Sequence, residues 1–175
     1  GERGQYFTNR LVVNMMVKMI DPKDTDIILD PACGSGGFLI AAMNSIFNRI
    51  DKSRRAQTAK DILKRNVVHQ LYGVDISPKL VKVAKANMLL GKDGHSGIEK
   101  GNSLDDVSKL SASFREKAGL GDPTIILTNP PFGSGYDLRI KDPAILRQYD
   151  AGHNWDIIDG KLVLEDSLNT RAGVA

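Results

Sequence analysis

A single cysteine in 175 residues excludes an intrachain disulfide framework, and three histidines, at positions 69, 95 and 153, have no metal-ligand spacing. There is no run of about 18 apolar residues, so no stretch reads as a membrane-spanning helix, and no leader pattern is visible; a cytoplasmic protein with no membrane partner is expected. Neither sign of charge dominates. Lys+Arg number 24 against Asp+Glu 21, giving a net charge of +3 and a pI near 9.0, which suits a nucleic-acid partner without requiring one. Internal repeats and low-complexity tracts are absent. With 41% hydrophobic and 26% charged residues, the composition is that of an ordinary globular chain, expected as one domain over residues 1–175.

What is present alternates. Leu11, Val12, Met15, Met16, Met19 and Ile20 recur at helical spacing, so a helix is expected over residues 10–20, stopped by Asp21-Pro22. Ile27 to Asp30 reads as a buried strand, followed by a glycine-rich turn and a helix with the apolar stripe Leu39, Ala42, Met43, Ile46 and Phe47. Asp51 to Arg65 is highly charged and reads as a surface helix or insertion. Leu71 to Ile76 is a second strand, and Ser77-Pro78 opens a helix lined by Leu80, Val81, Ala84 and Met88. Gly97 to Leu104 is a third strand ending in Asn102-Ser103, and Thr124 to Thr128 a fourth. Strands alternating with helices predict an α/β domain with a parallel sheet. Residues 133–160 lack periodicity and are expected as a long mobile loop; Lys161-Leu162-Val163-Leu164 is too short to place.

In such a sheet, ligands sit beyond the carboxyl ends of the strands. Asp30 ends the first strand, and the glycines after it let the backbone approach a ligand closely. Asp75 ends the second, where a carboxylate accepts hydrogen bonds from ribose hydroxyls. Asn102 ends the third, in reach of an adenine edge. The glycine turn also reads as a phosphate cradle, or simply as a tight turn. It lacks a Gly-Lys-Ser/Thr ending, and Asp30 would face the anion, so a ligand carrying a cationic ammonium group fits better.

The fourth strand stops at Asn129-Pro130-Pro131-Phe132. Proline fixes φ and cannot extend the ladder, so an amide, backbone carbonyls and an aromatic face gather in one rigid turn. That set grips a planar amine. Taken in order, Gly4-Gln5-Tyr6-Phe7-Thr8, Asp30-Pro31-Ala32-Cys33-Gly34-Ser35-Gly36-Gly37-Phe38, Gly73-Val74-Asp75-Ile76, Gly101-Asn102-Ser103-Leu104 and the tetrad resemble the motifs of N6-adenine DNA methyltransferases. The opening motif resembles that of the modification subunit of type I restriction–modification systems. Asn9 stands where that family usually has proline, and its presence is expected to loosen the start of the first helix.

The resemblance implies a doubly wound, mainly parallel α/β sheet of the S-adenosylmethionine-dependent methyltransferase type, truncated after the fourth strand, with the second and fourth strands flanking the first. It implies that Tyr6, Phe7 and Thr8 close over the methionine end of S-adenosylmethionine. Asp30 and the backbone of Ala32, Cys33 and Gly34 would hold its ammonium group. Asp75 would take the ribose, Ile76 would pack on the adenine, and Asn102 with Ser103 would meet its edge. Asn129, Pro130, Pro131 and Phe132 would hold the target base. DNA, a specificity subunit and a restriction subunit are the implied partners.

Blander readings stand beside these. Cys33 suits packing in a tight turn, and Phe38, Met15 and Met16 are most simply core. Tyr6 and Phe7 suit a hydrophobic staple nearly as well as a cofactor contact. Lys52, Arg54, Arg55, Lys60, Lys64 and Arg65 are interleaved with Asp51 and Asp61, as on a solvated helix face. Trp155 suits a local anchor better than a wedge into DNA.

Overall fold

The structure is a computed structural model that describes residues 7–90, 97–117, 123–131 and 142–169. These fall into two compact units, one of Phe7–Ser103 with Val107–Pro130, the other of Leu104–Asp106 with the described part of Pro131–Ala175.

In the first unit, strands β1 (Ile28–Asp30), β2 (Leu71–Asp75), β3 (Gly97–Lys100) and β4 (Ile125–Ile126) form one parallel sheet in the order β3-β2-β1-β4. Ile28 lies level with Leu71 and Ile125, and Asp75 with Lys100, so all four carboxyl ends share one edge. The period-two alternation of strand side chains divides the core. Ile28 and Leu71 join the cluster under helices α1 (Arg10–Ile20), α2 (Gly37–Lys52), α3 (Gln57–Val68) and α4 (Pro78–Leu90). Tyr72 and Val74 pack on the other face against Phe114 of the short helix α5 (Ala112–Lys117). Helices on both faces make the sheet doubly wound.

Two expectations about α1 need correcting. Its buried residues are Val13 and Val17, while Leu11 and Met19 are 78% and 77% exposed; Met15 is exposed too, and only Met16 is partly packed. Six apolar residues at helical spacing marked the helix but not its inner face, which is set by Val13 and Val17, four apart, and not by Val12, which is exposed. Nor does Asn9 loosen the helix start. Its side chain accepts the Leu11 N–H at 2.8 Å, and its φ of −56° lies where a proline would have fixed it.

The third and fourth strands are shorter than the sequence suggests. β3 ends at Lys100, before Asn102, and the β4 ladder has only two residues. The Thr124 hydroxyl accepts the Ile27 N–H at 3.0 Å, ahead of the β4 ladder. Phe38 is buried, as expected. The charged stretch after Asp51 is mostly α3, where Lys64 pairs with Asp51 at 2.7 Å and Lys60 donates to the Asp51 carbonyl; Arg55 pairs with Asp24 from the α2–α3 turn. Those cations are engaged within the chain, as on a solvated face.

The second unit overturns the expected loop from Asp142 onward. Asp142 caps helix α6 (Pro143–Leu146) by accepting the Ala144 N–H, a 3-10 turn follows over Asp150–Gly152, and β5 (His153–Ile158) pairs antiparallel with β6 (Lys161–Leu168). The hairpin turns at Asp159-Gly160, both with positive φ, an Asp-Gly pair being a local hairpin signal. Trp155 Nε1 donates to the Asp150 carbonyl at 3.1 Å, so this indole does anchor its own turn. Residues 133–141 lie outside the described set.

Candidate functional site

The parallel sheet carries Asp30, Asp75, Asn102 and Asn129 to one edge, since each follows or ends a strand running the same way. Between the first two runs the glycine turn. Gly34 and Gly36 have φ of +53° and +84°, a region side chains disfavour, and Gly36 forms the N-cap of α2. The turn is sewn to its neighbours. Cys33 N–H donates to the Val74 carbonyl and Gly34 N–H to Asp75 Oδ2, each at 2.9 Å, and Asn87 Nδ2 of α4 donates to the Ser35 carbonyl at 3.0 Å. Gly73 makes room beneath it, where a Cβ would stand 2.9 Å from Cys33 Cβ. The Cys33 and Gly34 N–H groups are thus engaged within the protein.

Asp30 is 1% exposed. Burial pushes its carboxyl up to about 6, opposed by the Ala32 N–H that its Oδ1 accepts and by the nearby Thr128 hydroxyl, and reinforced by the charge of Asp75. Thr128 Oγ1 itself is buried without a hydrogen bond of ordinary geometry. A buried carboxyl raised by its surroundings is a site that a cationic, hydrogen-bonding group would complete.

Asp75 is half-buried, and besides Gly34 it accepts the Ser77 N–H on Oδ1 at 2.8 Å. It therefore shapes the turns on either side of itself while keeping lone pairs on both oxygens. Ile76 next to it is 64% exposed, an uncovered apolar side chain at the strand end. Asn102 is half-buried, and Ser103 donates its hydroxyl to the Pro31 carbonyl, tying the end of β3 to the glycine turn. Cys33 is buried in the core and burial raises its thiol, so its side chain packs while only its backbone borders the turn.

At the end of β4, Asn129 is half-buried and its Nδ2 donates to Thr8 Oγ1 at 3.0 Å. This contact joins two sequence motifs 121 residues apart, which no spacing rule reveals. Phe7 is exposed, and Pro130 and Pro131 are exposed. Tyr6 and Phe132 lie outside the described residues.

A doubly wound parallel sheet with a glycine turn after β1 and acidic side chains at two strand ends is an open α/β domain of the kind that binds ligands beyond its strand ends. The known proteins narrow the class. A profile of the N-6 DNA methylase family matches residues 1–154, and the chain belongs to that family. It is 32% identical over 170 residues to the type II restriction enzyme and methyltransferase RM.BcgI of Heyndrickxia coagulans, covering 97% of this chain and 24% of that protein. It is 35% identical over 134 residues to the type I restriction enzyme EcoEI methylase subunit of Escherichia coli, covering 76% of this chain and 24% of that one. The chain thus spans about a quarter of the length of these relatives. Among solved structures, a modification subunit ascribed to a type I restriction enzyme of Vibrio vulnificus YJ016 superimposes with a TM-score of 0.63 at 27% identity, over 85% of this chain and 27% of that one. The fold is accordingly that of these methyltransferases.

Proposed function

We propose that this chain is the catalytic core of an enzyme that methylates N6 of adenine in DNA, as the modification subunit of a type I restriction–modification system. The observation that carries the reading is the shared strand edge, which sets Asp30 and Asp75 around the glycine turn and Asn129 just beyond the end of β4, the strand paired with β1. Family membership supports the same reaction class.

The residues present fit S-adenosylmethionine. Asp30, buried and raised toward neutrality, would take its ammonium group, Asp75 its ribose hydroxyls, and Ile76 with Asn102 its adenine. When bound, that cofactor supplies an electrophilic methyl group on a cationic sulfur. The protein's own task is to prepare the nucleophile. The exocyclic amine of adenine is a poor one, because its lone pair is delocalised into the ring. Asn129 Oδ1 and the Pro130 carbonyl would accept its two hydrogens and favour a pyramidal nitrogen. As positive charge develops on that nitrogen both bonds strengthen, so they stabilise the transition state more than the ground state. The base is reached only outside the duplex, and by resemblance Phe132 supplies the face on which it stacks. DNA, a specificity subunit and a restriction subunit are the proposed partners.

Asn129→Ala in the complete protein should slow single-turnover formation of N6-methyladenine by about a hundredfold or more, with cofactor affinity nearly unchanged. A normal rate would remove Asn129 from the chemistry.

A second reading follows from the 170-residue match to RM.BcgI, which runs further along this chain than the 134-residue type I match. In that reading methylation and cleavage belong to one polypeptide. DNA cleavage by the complete purified protein without a separate restriction subunit would favour it.

A further inference from the structure

We propose that Thr8 is the positioning residue for Asn129, holding the amide so that its oxygen faces the amine to be methylated. The proposal rests on the reading of Asn129 given above. An asparagine side chain has two faces of nearly equal shape, yet only Oδ1 accepts an amine hydrogen. With Nδ2 in its place, donor would meet donor and the amine would be repelled. Here Nδ2 donates to Thr8 Oγ1 at 3.0 Å, while Oδ1 makes no hydrogen bond among the described residues and is not shut away from solvent. One face of the amide is tied and the other is left open.

Thr8 is itself well placed to act as a fixed point. It directly precedes Asn9, whose side chain caps α1 and whose carbonyl accepts the Val13 N–H at 3.0 Å. Val13 and Val17 then seat that helix in the core. The hydroxyl is thus referred to the helix layer, and Asn129 to the β4 end, which follows the Leu127 N–H bond to the Leu29 carbonyl at 3.1 Å. The hydrogen bond between them locks the amide against rotation. Removing it frees the side chain to turn without removing any group that touches the base, which is a positioning role.

Single-turnover methylation of adenine-containing DNA by the complete protein tests this, with cofactor affinity measured alongside by calorimetry. Thr8→Val should cut the rate by about tenfold to a hundredfold, the effect of misplacing a reacting group. Because resemblance also sets Thr8 at the methionine end of the cofactor, the rate is read at saturating cofactor, where the fall should persist, and half-saturating DNA should stay within about twofold. Thr8→Ser, which keeps the hydroxyl, should restore most of the rate, and Thr8→Val added to Asn129→Ala should cost nothing further. An unchanged rate in Thr8→Val overturns the proposal. So does a loss confined to cofactor Kd that disappears at saturating cofactor, a Thr8→Ser variant as slow as Thr8→Val, or losses that multiply in the double variant. A normal rate in Asn129→Ala overturns the reading of the site, and the proposal with it. Should Thr8→Val fail to fold, hydrogen exchange at the Asn129 side-chain amide of the unsubstituted protein decides: one protected Nδ2 hydrogen is expected, and two equally fast ones overturn the pairing.

Discussion

Asp30 and Asp75 end neighbouring parallel strands, yet their surroundings set them to opposite tasks. Asp30 is closed off from water, holds one backbone N–H, and is raised to about 6 by burial. Asp75 is half-buried and holds two backbone N–H groups, those of Gly34 and Ser77. One is a carboxylate kept uncomfortable, for which a cation would be a relief. The other is a carboxylate kept satisfied, which shapes the loops that border the pocket. Position on the sheet explains the difference. Asp30 lies level with Gly73, inside the ladder, while Asp75 lies two residues nearer the strand ends.

The largest effect should come from breaking the structural member of the pair. Asp75→Ala removes two charge-assisted hydrogen bonds within the protein, each worth about 1.5–3 kcal/mol, and the proposed ribose contacts as well. A lower melting temperature and a loss of S-adenosylmethionine affinity of about a hundredfold or more are expected by calorimetry. Unchanged affinity in a folded variant would remove Asp75 from the ribose site.

Asp30→Asn should do the reverse to stability. The folded-state value near 6 lies above the usual 3.8, so the folded protein holds more protons between those limits. The contribution of Asp30 is therefore most favourable below pH 3.8 and is lost as pH rises through about 6. The substitution should stabilise the ligand-free protein by about 1–3 kcal/mol at neutral pH, while weakening cofactor binding. A melting temperature that falls at pH 7.5 would show that the buried carboxylate is not strained.

Titration sharpens the same contrast with a smaller change. S-adenosylmethionine affinity should be level above about pH 7 and drop about tenfold by about pH 5, as Asp30 takes up a proton. The drop should vanish in Asp30→Asn; its survival there would place the titrating group elsewhere.

The smallest effect lies at the start of α1, away from both carboxylates. Asn9→Ala should cost about 1 kcal/mol through the lost cap. Asn9→Pro should cost less, since φ already suits proline. Denaturant melts would measure both, and a larger loss in Asn9→Pro would mean that this backbone does not tolerate the ring.

Much of the first unit was legible because its signals are local. Ser77-Pro78 marks the start of α4, the glycines mark a turn with positive φ, and a short apolar run after a helix marks a parallel strand. The inner face of α1 was not legible, because Met15 and Val13 are both apolar and only packing against the rest of the core chooses between them. The elements after Asp142 were missed because four- to eight-residue pieces carry too little periodicity to register.

By itself the sequence determined the order of the sheet strands and main helices of the first unit, the sheet's parallel sense and the residue types at the strand ends, since each follows from hydrophobic period and backbone stereochemistry within a few residues. Tertiary structure alone decided which carboxylate is buried, which face of the first helix is covered and which hydroxyl holds the Asn129 amide. Those depend on dielectric surroundings and on contacts as long as the 121-residue span between Thr8 and Asn129, which exist only once the sheet has closed.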